Sequence, residues 1–359
     1  MDVAGLRAEF PVFQQTAYLN AGSCGPLSAA SQRATIEMLE IAATRGRAHA
    51  YFELMIESRT RLRATYAGML GAQPDEVALT TCASEGIARV LTALDLHPED
   101  EVLTSDEEHP GLNGPLAAAR ALRGIAVRAV PFAQLADAVD ERTKLVACSH
   151  VSWISGRFAP DLSGLDIPVL LDGAQGIGAV AVDVAALGCA FYAGSGQKWL
   201  CGPVGTGMLW ISPAWSWRLP APAPTYMNLA NGNAGLDAVS HATAARHDTS
   251  AQSLETARAA LAALELLGEP GWDAVQKHAV TLASRFASAL QQAGRSVAPR
   301  DATTLVAWED PDPAATRVRL AEAGVIIRDL PGTGLLRASV GAWNDETDLD
   351  RLLTALDAG

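Results

Sequence analysis

The chain has 359 residues and a formal net charge of −13, with 49% hydrophobic and 19% charged residues. That length supports a large core and about two domains, and the acidic balance argues against nucleic acid or an anionic membrane as a partner. No apolar run of about 18 residues and no basic-then-apolar leader is present, so a cytoplasmic protein is expected.

The five cysteines (Cys24, Cys82, Cys148, Cys189, Cys201) are scattered, odd in number and without a C-x-x-C pair. They suit reduced thiols better than a disulfide frame or a metal site. The opening segment spaces Val3, Leu6 and Phe10 for one helical face. Tyr18-Leu19 then runs into Asn20-Ala21-Gly22-Ser23-Cys24-Gly25-Pro26, a turn with exposed backbone donors. Residues 28–70 lack proline and read as helix, broken near Gly46.

Strand–helix alternation follows, as in a doubly wound sheet. Val77 to Thr81 predicts a strand, and Ser84 opens a helix running to about Leu96. A small hydroxyl among free N–H groups at the positive end of a helix suits a phosphate, although an ordinary N-cap looks the same. Glu101 to Ser105 predicts the next strand, ahead of Asp106-Glu107-Glu108-His109, where an imidazole at a strand end could stack on a flat ring. Lys144 to Val151 is another buried strand, followed by Ser152-Trp153-Ile154-Ser155-Gly156. Trp153 either offers its π face to a cation or packs beneath the sheet.

The centre of the pattern is residues 168–207. The apolar run Pro168 to Leu171 stops on Asp172, and a second run, Ala190 to Tyr192, leads to Ser195-Gly196-Gln197-Lys198-Trp199 and then Gly202-Pro203. Ligands of open α/β sheets bind beyond the carboxyl ends of such strands. A lysine among small residues beside an apolar core is a candidate for the lowered pKa of a Schiff-base lysine. An aspartate one strand away suits the pyridinium nitrogen of pyridoxal 5'-phosphate. Met208 to Ile211 is a further strand, and residues 213–247 read as irregular connector and loop. Beyond Ser253 a helix with Leu254, Leu261 and Leu264 on one face leads to strands Val325 to Ile327 and Leu335 to Val340, then a helix capped at Asn344. Arg337, flanked by apolar strand residues, needs either a carboxylate ligand or a structural salt bridge.

The D-x-A-Q turn, the S-x-Q-K run and the G-P-x-G-x-G that follows resemble the pyridoxal-phosphate enzymes of aminotransferase class V, a group of cysteine desulfurases, selenocysteine lyases and isopenicillin-N-epimerase-like proteins. The resemblance spans essentially the whole chain. It implies an α/β fold of PLP fold-type I: a large domain (residues 21–250) with a mostly parallel seven-stranded sheet sandwiched by helices, and a smaller α+β domain (residues 1–20 with 251–359). It also implies a homodimer with active sites at the interface. By the same likeness Lys198 is the Schiff-base lysine and Asp172 pairs with the ring nitrogen, while Gln175 reaches the ring hydroxyl and His109 stacks on the ring. Ala83, Ser84, Glu85, Ser195 and Gln197 hold the phosphate, joined by Thr249 from the neighbouring subunit. Asn20, Ser23 and Arg337 line the pocket of a small amino-acid substrate, with Arg337 on its α-carboxylate, and Trp153 departs from the family by standing where desulfurases carry an asparagine that touches the cofactor hydroxyl or the substrate.

Desulfurases carry a thiolate shortly before that arginine, and residues 328–336 contain no cysteine. β-Elimination then needs a substrate that brings its own sulfur leaving group. The texture of the chain is most similar to the C–S lyases of ergothioneine biosynthesis, which cleave hercynylcysteine S-oxide and release pyruvate and ammonia. Trp153, Trp199 and Trp343 could cradle its trimethylammonium group or belong to the core. Another class V activity (epimerase, aminotransferase or selenocysteine lyase) is the alternative.

Overall fold

A computed structural model describes residues 1–358. Helix α1 (Val3–Ala8), capped by the Asp2 carboxylate, precedes strand β1 (Ala17–Tyr18). Helices α2 (Ala29–Arg45) and α3 (His49–Leu70) are separated at Gly46, whose φ of +76° lies where a side chain is strained.

The alternating part supplies strands β2 (Val77–Thr80), β3 (Glu101–Ser105), β4 (Ala126–Val130), β5 (Thr143–Ser149), β6 (Val169–Asp172), β7 (Phe191–Ser195) and β8 (Gly207–Ile211), with helices α4 (Ala83–Ala93) and α5 (Pro110–Arg123) among them. They form one seven-stranded sheet in the order β2-β8-β7-β6-β5-β3-β4. Only β8 runs antiparallel to its neighbours; the other pairs are parallel. The mostly parallel seven-stranded sheet expected from the sequence is therefore present. Side chains alternate between its faces. Val169 and Leu171 join Leu62, Tyr66 and Leu264 on one side, while Leu170 joins Ile87, Val90 and Leu116 on the other. Strand β4 escaped the sequence reading because it is an edge strand, exposed at Ala126 and Ala129, and lacks the continuous apolar run of the inner strands.

After the short helix α6 (Pro213–Ser216), helices α7 (Leu254–Gly268, capped by Ser253) and α8 (Trp272–Gln292) lead to β9 (Leu305–Glu309), α9 (Pro313–Glu322), β10 (Val325–Ile326), β11 (Arg328–Leu330), β12 (Leu335–Ser339) and α10 (Glu346–Asp357). The antiparallel sheet β11-β12-β9 shares a core with Leu19, Phe286 and Leu352, and β1 pairs in parallel with β10. Two sequence expectations are corrected. The predicted strand Val325 to Ile327 ends at Ile326, because Arg328 belongs to a different sheet. The cap of α10 is Asp345, whose side chain accepts from Thr347 N. Asn344 turns inward, accepting from Gly341 N at 2.8 Å and donating to Asp348 at 2.8 Å. No described helix is long and apolar enough to cross a membrane.

A buried ion cluster ties α3 to the sheet. Asp248 accepts from Leu79 N (2.9 Å), Arg59 Nη2 (3.0 Å) and Arg63 Nη1 and Nη2 (3.0 and 2.6 Å). Asp248→Ala would leave the buried Arg59 uncompensated, so urea denaturation should show a loss of about 3–5 kcal/mol.

Candidate active site

The carboxyl ends of β6 and β7 deliver the central pair. Asp172 closes β6, is buried, and accepts from Ala174 N at 2.9 Å. Burial pushes its carboxyl up, opposed by the charge of Lys198. Lys198 follows β7 by three residues, and burial lowers its amine to about 8. Asp172 opposes that shift, while Arg337 and Arg328 push in the same direction as burial.

Next to this pair lies a helix start. Helix α4 begins at Ala83, and the first N–H groups of a helix have no intrahelical acceptor. Ala83 N donates to Ser195 Oγ at 3.1 Å, fastening the helix start to the end of β7. A Cβ added to Gly111 would lie 2.6 Å from Ser84 Oγ and 3.0 Å from His109 Nδ1, so these two side chains meet across a residue that has none. The Glu85 carboxylate is already engaged with Thr81 (N at 2.6 Å, Oγ1 at 2.7 Å) and Arg89, leaving only its backbone N–H for a ligand. His109 caps α5 by accepting from Gly111 N at 2.9 Å. Burial, reinforced by Lys198, Arg328 and Arg337, lowers it to about 4, so the ring is neutral. Behind it, Glu108 staples the ends of β3 and β5 by accepting from Ser105 Oγ (2.5 Å) and Ser149 N (2.9 Å).

The Asn20–Gly25 turn closes the other side. Gly25 N donates to Gln197 O at 2.8 Å, and any side chain at Gly25 would collide with the Lys198 carbonyl. Gln175 donates to Gly22 O (2.8 Å) and accepts from Trp199 Nε1 (2.9 Å). Its expected role on a ring hydroxyl is therefore reduced to one remaining amide N–H, the rest of the side chain tying two loops together. Arg337 is fully buried and gives one hydrogen bond, from Nη1 to Trp153 O at 2.7 Å. Nε and Nη2 have no partner, and no carboxylate lies within ion-pair distance among the described residues. Burial, with Arg328 adding to it, lowers the guanidinium to about 9. A Cβ on Gly22 would approach Nη2 to 2.8 Å and Ser339 Oγ to 2.7 Å.

The tryptophan expectations change. Trp153 does not present a free π face: the Arg328 guanidinium lies 5.5 Å from its ring centroid, and His109 packs edge-on at 4.9 Å. Trp199 is committed to Gln175, and Trp343 is a core residue against Phe10 (5.3 Å). The three tryptophans thus form no cradle for a trimethylammonium group. No hydrogen bond or ion pair joins Thr249 to the Lys198 cluster of its own chain. Its N–H meets Leu79 O (2.7 Å) and its carbonyl meets Arg59 (3.0 Å) at strand β2. Arg328 was missed as a site residue. Its signal was the turn Pro331–Gly334, which sets Leu330 against Leu335 and hence Arg328 directly opposite Arg337.

Most buried polar groups find partners. Here Asn20 Oδ1, Gln197 Oε1, Ser339 Oγ and two Arg337 nitrogens do not. The residues fit pyridoxal phosphate: free helix N–H groups and Ser84 for the phosphate, Asp172 for a cationic ring nitrogen, Lys198 for the aldehyde, and His109 for the ring face.

Comparison with known proteins decides the family. Residues 29–352 match aminotransferase class V. The chain belongs to this family. Class V enzymes are pyridoxal-phosphate-dependent. The chain is 34% identical over 233 residues to a probable cysteine desulfurase of Methanothermobacter thermautotrophicus, a match spanning 59% of this chain and 57% of that protein. It is 28% identical over 393 residues to a probable cysteine desulfurase of Pseudomonas aeruginosa, spanning 98% and 96%. Several of the curated relatives are thus matched over little more than half their length. Among solved structures, the cystine C–S lyase C-DES in complex with its product cysteine persulfide superposes with a TM-score of 0.87 at 25% identity, covering 97% of this chain and 98% of that one.

An amine with a pKa of about 8 is protonated and non-nucleophilic below that pH. Uptake of pyridoxal phosphate by the apoprotein, followed as growth of a visible absorbance band, should therefore accelerate as pH rises towards 8 and level off above it. Lys198→Ala should give no such band at any pH.

Proposed function

We propose that the protein is a pyridoxal-phosphate-dependent carbon–sulfur lyase, which removes the sulfur group from Cβ of a cysteine-derived amino acid and releases pyruvate and ammonia. The observation that carries this reading is Arg337, a buried guanidinium whose Nε and Nη2 lack partners beside the Lys198–Asp172 pair. Such an edge suits bidentate capture of an α-carboxylate.

Pyridoxal phosphate, when bound, supplies an electron sink for charge developing at the substrate Cα. Asp172 would stabilise a protonated ring nitrogen by its negative charge. The N–H groups at the start of α4, with the hydroxyls of Ser84 and Ser195 and the Gln197 amide, would hold the phosphate. Lys198 is placed to take the Cα proton; the electron pair left at Cα would form the Cα–Cβ double bond as the Cβ–S pair leaves on sulfur. Water then converts the released enamine to pyruvate and ammonia.

Arg328 bears on the choice of substrate. Directly opposed residues of neighbouring antiparallel strands share a face, so Arg328 and Arg337 stand side by side, and Arg328 reaches Ser23 Oγ at 3.3 Å. A second cation favours a β-sulfur arm that carries an anionic group or an oxygen acceptor, as in cystine or a cysteine S-oxide conjugate. Hercynylcysteine S-oxide is the specific sulfoxide to which the sequence resemblance points. Its sulfoxide oxygen would meet Arg328, and its trimethylammonium group would lie away from the Trp153 face that Arg328 covers. The assembly proposed is a cytoplasmic homodimer, supported by the exposed apolar residues Ile36, Leu39, Phe52 and Ile56 on α2 and α3.

Pyruvate release is expected from L-cystine or the S-oxide, and much less from L-cysteine. Arg337→Met should raise KM by about ten- to a hundredfold, the worth of a charged bidentate contact. A ketone product without pyruvate, or an unchanged KM in that variant, would sink the lyase reading. Sedimentation equilibrium should return twice the chain mass.

A further inference from the structure

One acid beside the site takes no part in the chemistry above. Glu107 stands two residues before His109, yet forms no ion pair with Arg328 or Arg337. Its carboxylate accepts instead from the hydroxyls of Ser152 and Ser155, the latter at 2.6 Å. Both serines are buried. Ser152 Oγ in turn accepts from Ile154 N and Ser155 N, each at 3.1 Å, and Ser155 Oγ accepts from Arg157 N at 3.3 Å. Backbone bonds complete the turn: Ser152 N to Arg157 O (2.8 Å) and Gly156 N to Ser152 O (3.0 Å). What this turn displays is the Trp153 carbonyl, which accepts the only hydrogen bond that Arg337 makes among the described residues, at 2.7 Å.

We propose that Glu107, acting through Ser152 and Ser155, is the positioning residue that aims Arg337 at the substrate carboxylate. It fixes the 152–157 turn so that a neutral carbonyl takes one arm of the guanidinium and leaves Nε and Nη2 open. A carboxylate free to turn would pair with an arginine and stand in the place of the substrate. Two hydroxyls hold the Oε2 of that anion in place, and the carbonyl orients Arg337 without neutralising it. The inference rests on Arg337 being the carboxylate anchor.

Calorimetric titration of the holoenzyme with propionate, a carboxylate with no amine to react with the cofactor, reads this site apart from turnover. Glu107→Gln and Ser155→Ala should each weaken propionate by about tenfold, the loss of one charged hydrogen bond, with melting temperatures close to that of the parent protein. Arg337→Met should abolish binding. Propionate affinity unchanged in Glu107→Gln and Ser155→Ala but lost in Arg337→Met overturns the positioning role and leaves the anchor standing. Affinity unchanged in Arg337→Met, or no binding to the parent protein, overturns the anchor and this inference with it. If Glu107→Gln does not fold, Ser155→Ala, which keeps the acid and one of its two hydroxyl partners, decides alone.

Discussion

Removing an arginine from water without giving it an acid is among the costliest placements in a protein interior, and Arg337 is placed so. Its strand, β12, is the middle strand of the small sheet, bonded on one side to β11 and on the other to β9. The neighbourhood is built to keep the charge rather than to quench it. Trp153 contributes a carbonyl and Gly22 the space that a side chain would take from Nη2, while the Ser339 hydroxyl near Gly22 has no partner. Even lowered to about 9, the guanidinium remains protonated at neutral pH.

That choice sets the local field against the field of the whole chain. The chain carries a formal charge of −13, yet Lys198, Arg328 and Arg337 gather where Asp172 is the facing acid. Glu107 is bound to serines, and Glu108 is enclosed by Ser105 and Ser149. The consequence for Lys198 is quantitative. With an ordinary lysine pKa only about one molecule in a few thousand is neutral at pH 7, whereas at about 8 roughly a tenth is. Asp172 works against this shift, and burial wins. His109 feels the same cations and, with burial, is kept uncharged.

What the sequence made legible was local. An apolar run ending on Asp172, and Lys198 set among small residues just past another run, follow from strand periodicity and turn chemistry, and both stand at strand ends in the fold. Ser84 at a helix start was legible in the same way. What stayed hidden depends on partners remote in sequence. Gln175 is drawn off by Gly22 and Trp199, a relation no window of sequence displays. The face of Trp153 is filled by Arg328, 175 positions further along, so a tryptophan that reads as a cation receptor already holds a cation of its own chain. Asn344 lost the helix cap to Asp345 because Asp348 and Gly341 claim its side chain. Strand β4 failed the apolar-run test for the opposite reason, since an edge strand half in water needs no such run.

The hairpin that carries both arginines also constrains the fate of the sulfur. Strands β11 and β12 pair up to Leu330 and Leu335, and Thr333 seals the turn by donating to Leu330 O (2.8 Å) and accepting from Leu335 N (3.2 Å). A protein thiol delivered from this segment would need both a cysteine, which residues 328–336 lack, and a loop long enough to reach over the cofactor, which the closed turn does not provide. Lengthening the turn would also disturb the register that sets Arg328 opposite Arg337. A hairpin that holds two guanidiniums in register cannot at the same time be a mobile carrier of sulfur. Under the lyase reading the sulfur therefore departs on its own substituent rather than on a cysteine of this hairpin, and the closed turn that leaves no room for such a carrier is the same turn that sets Arg328 and Arg337 in register.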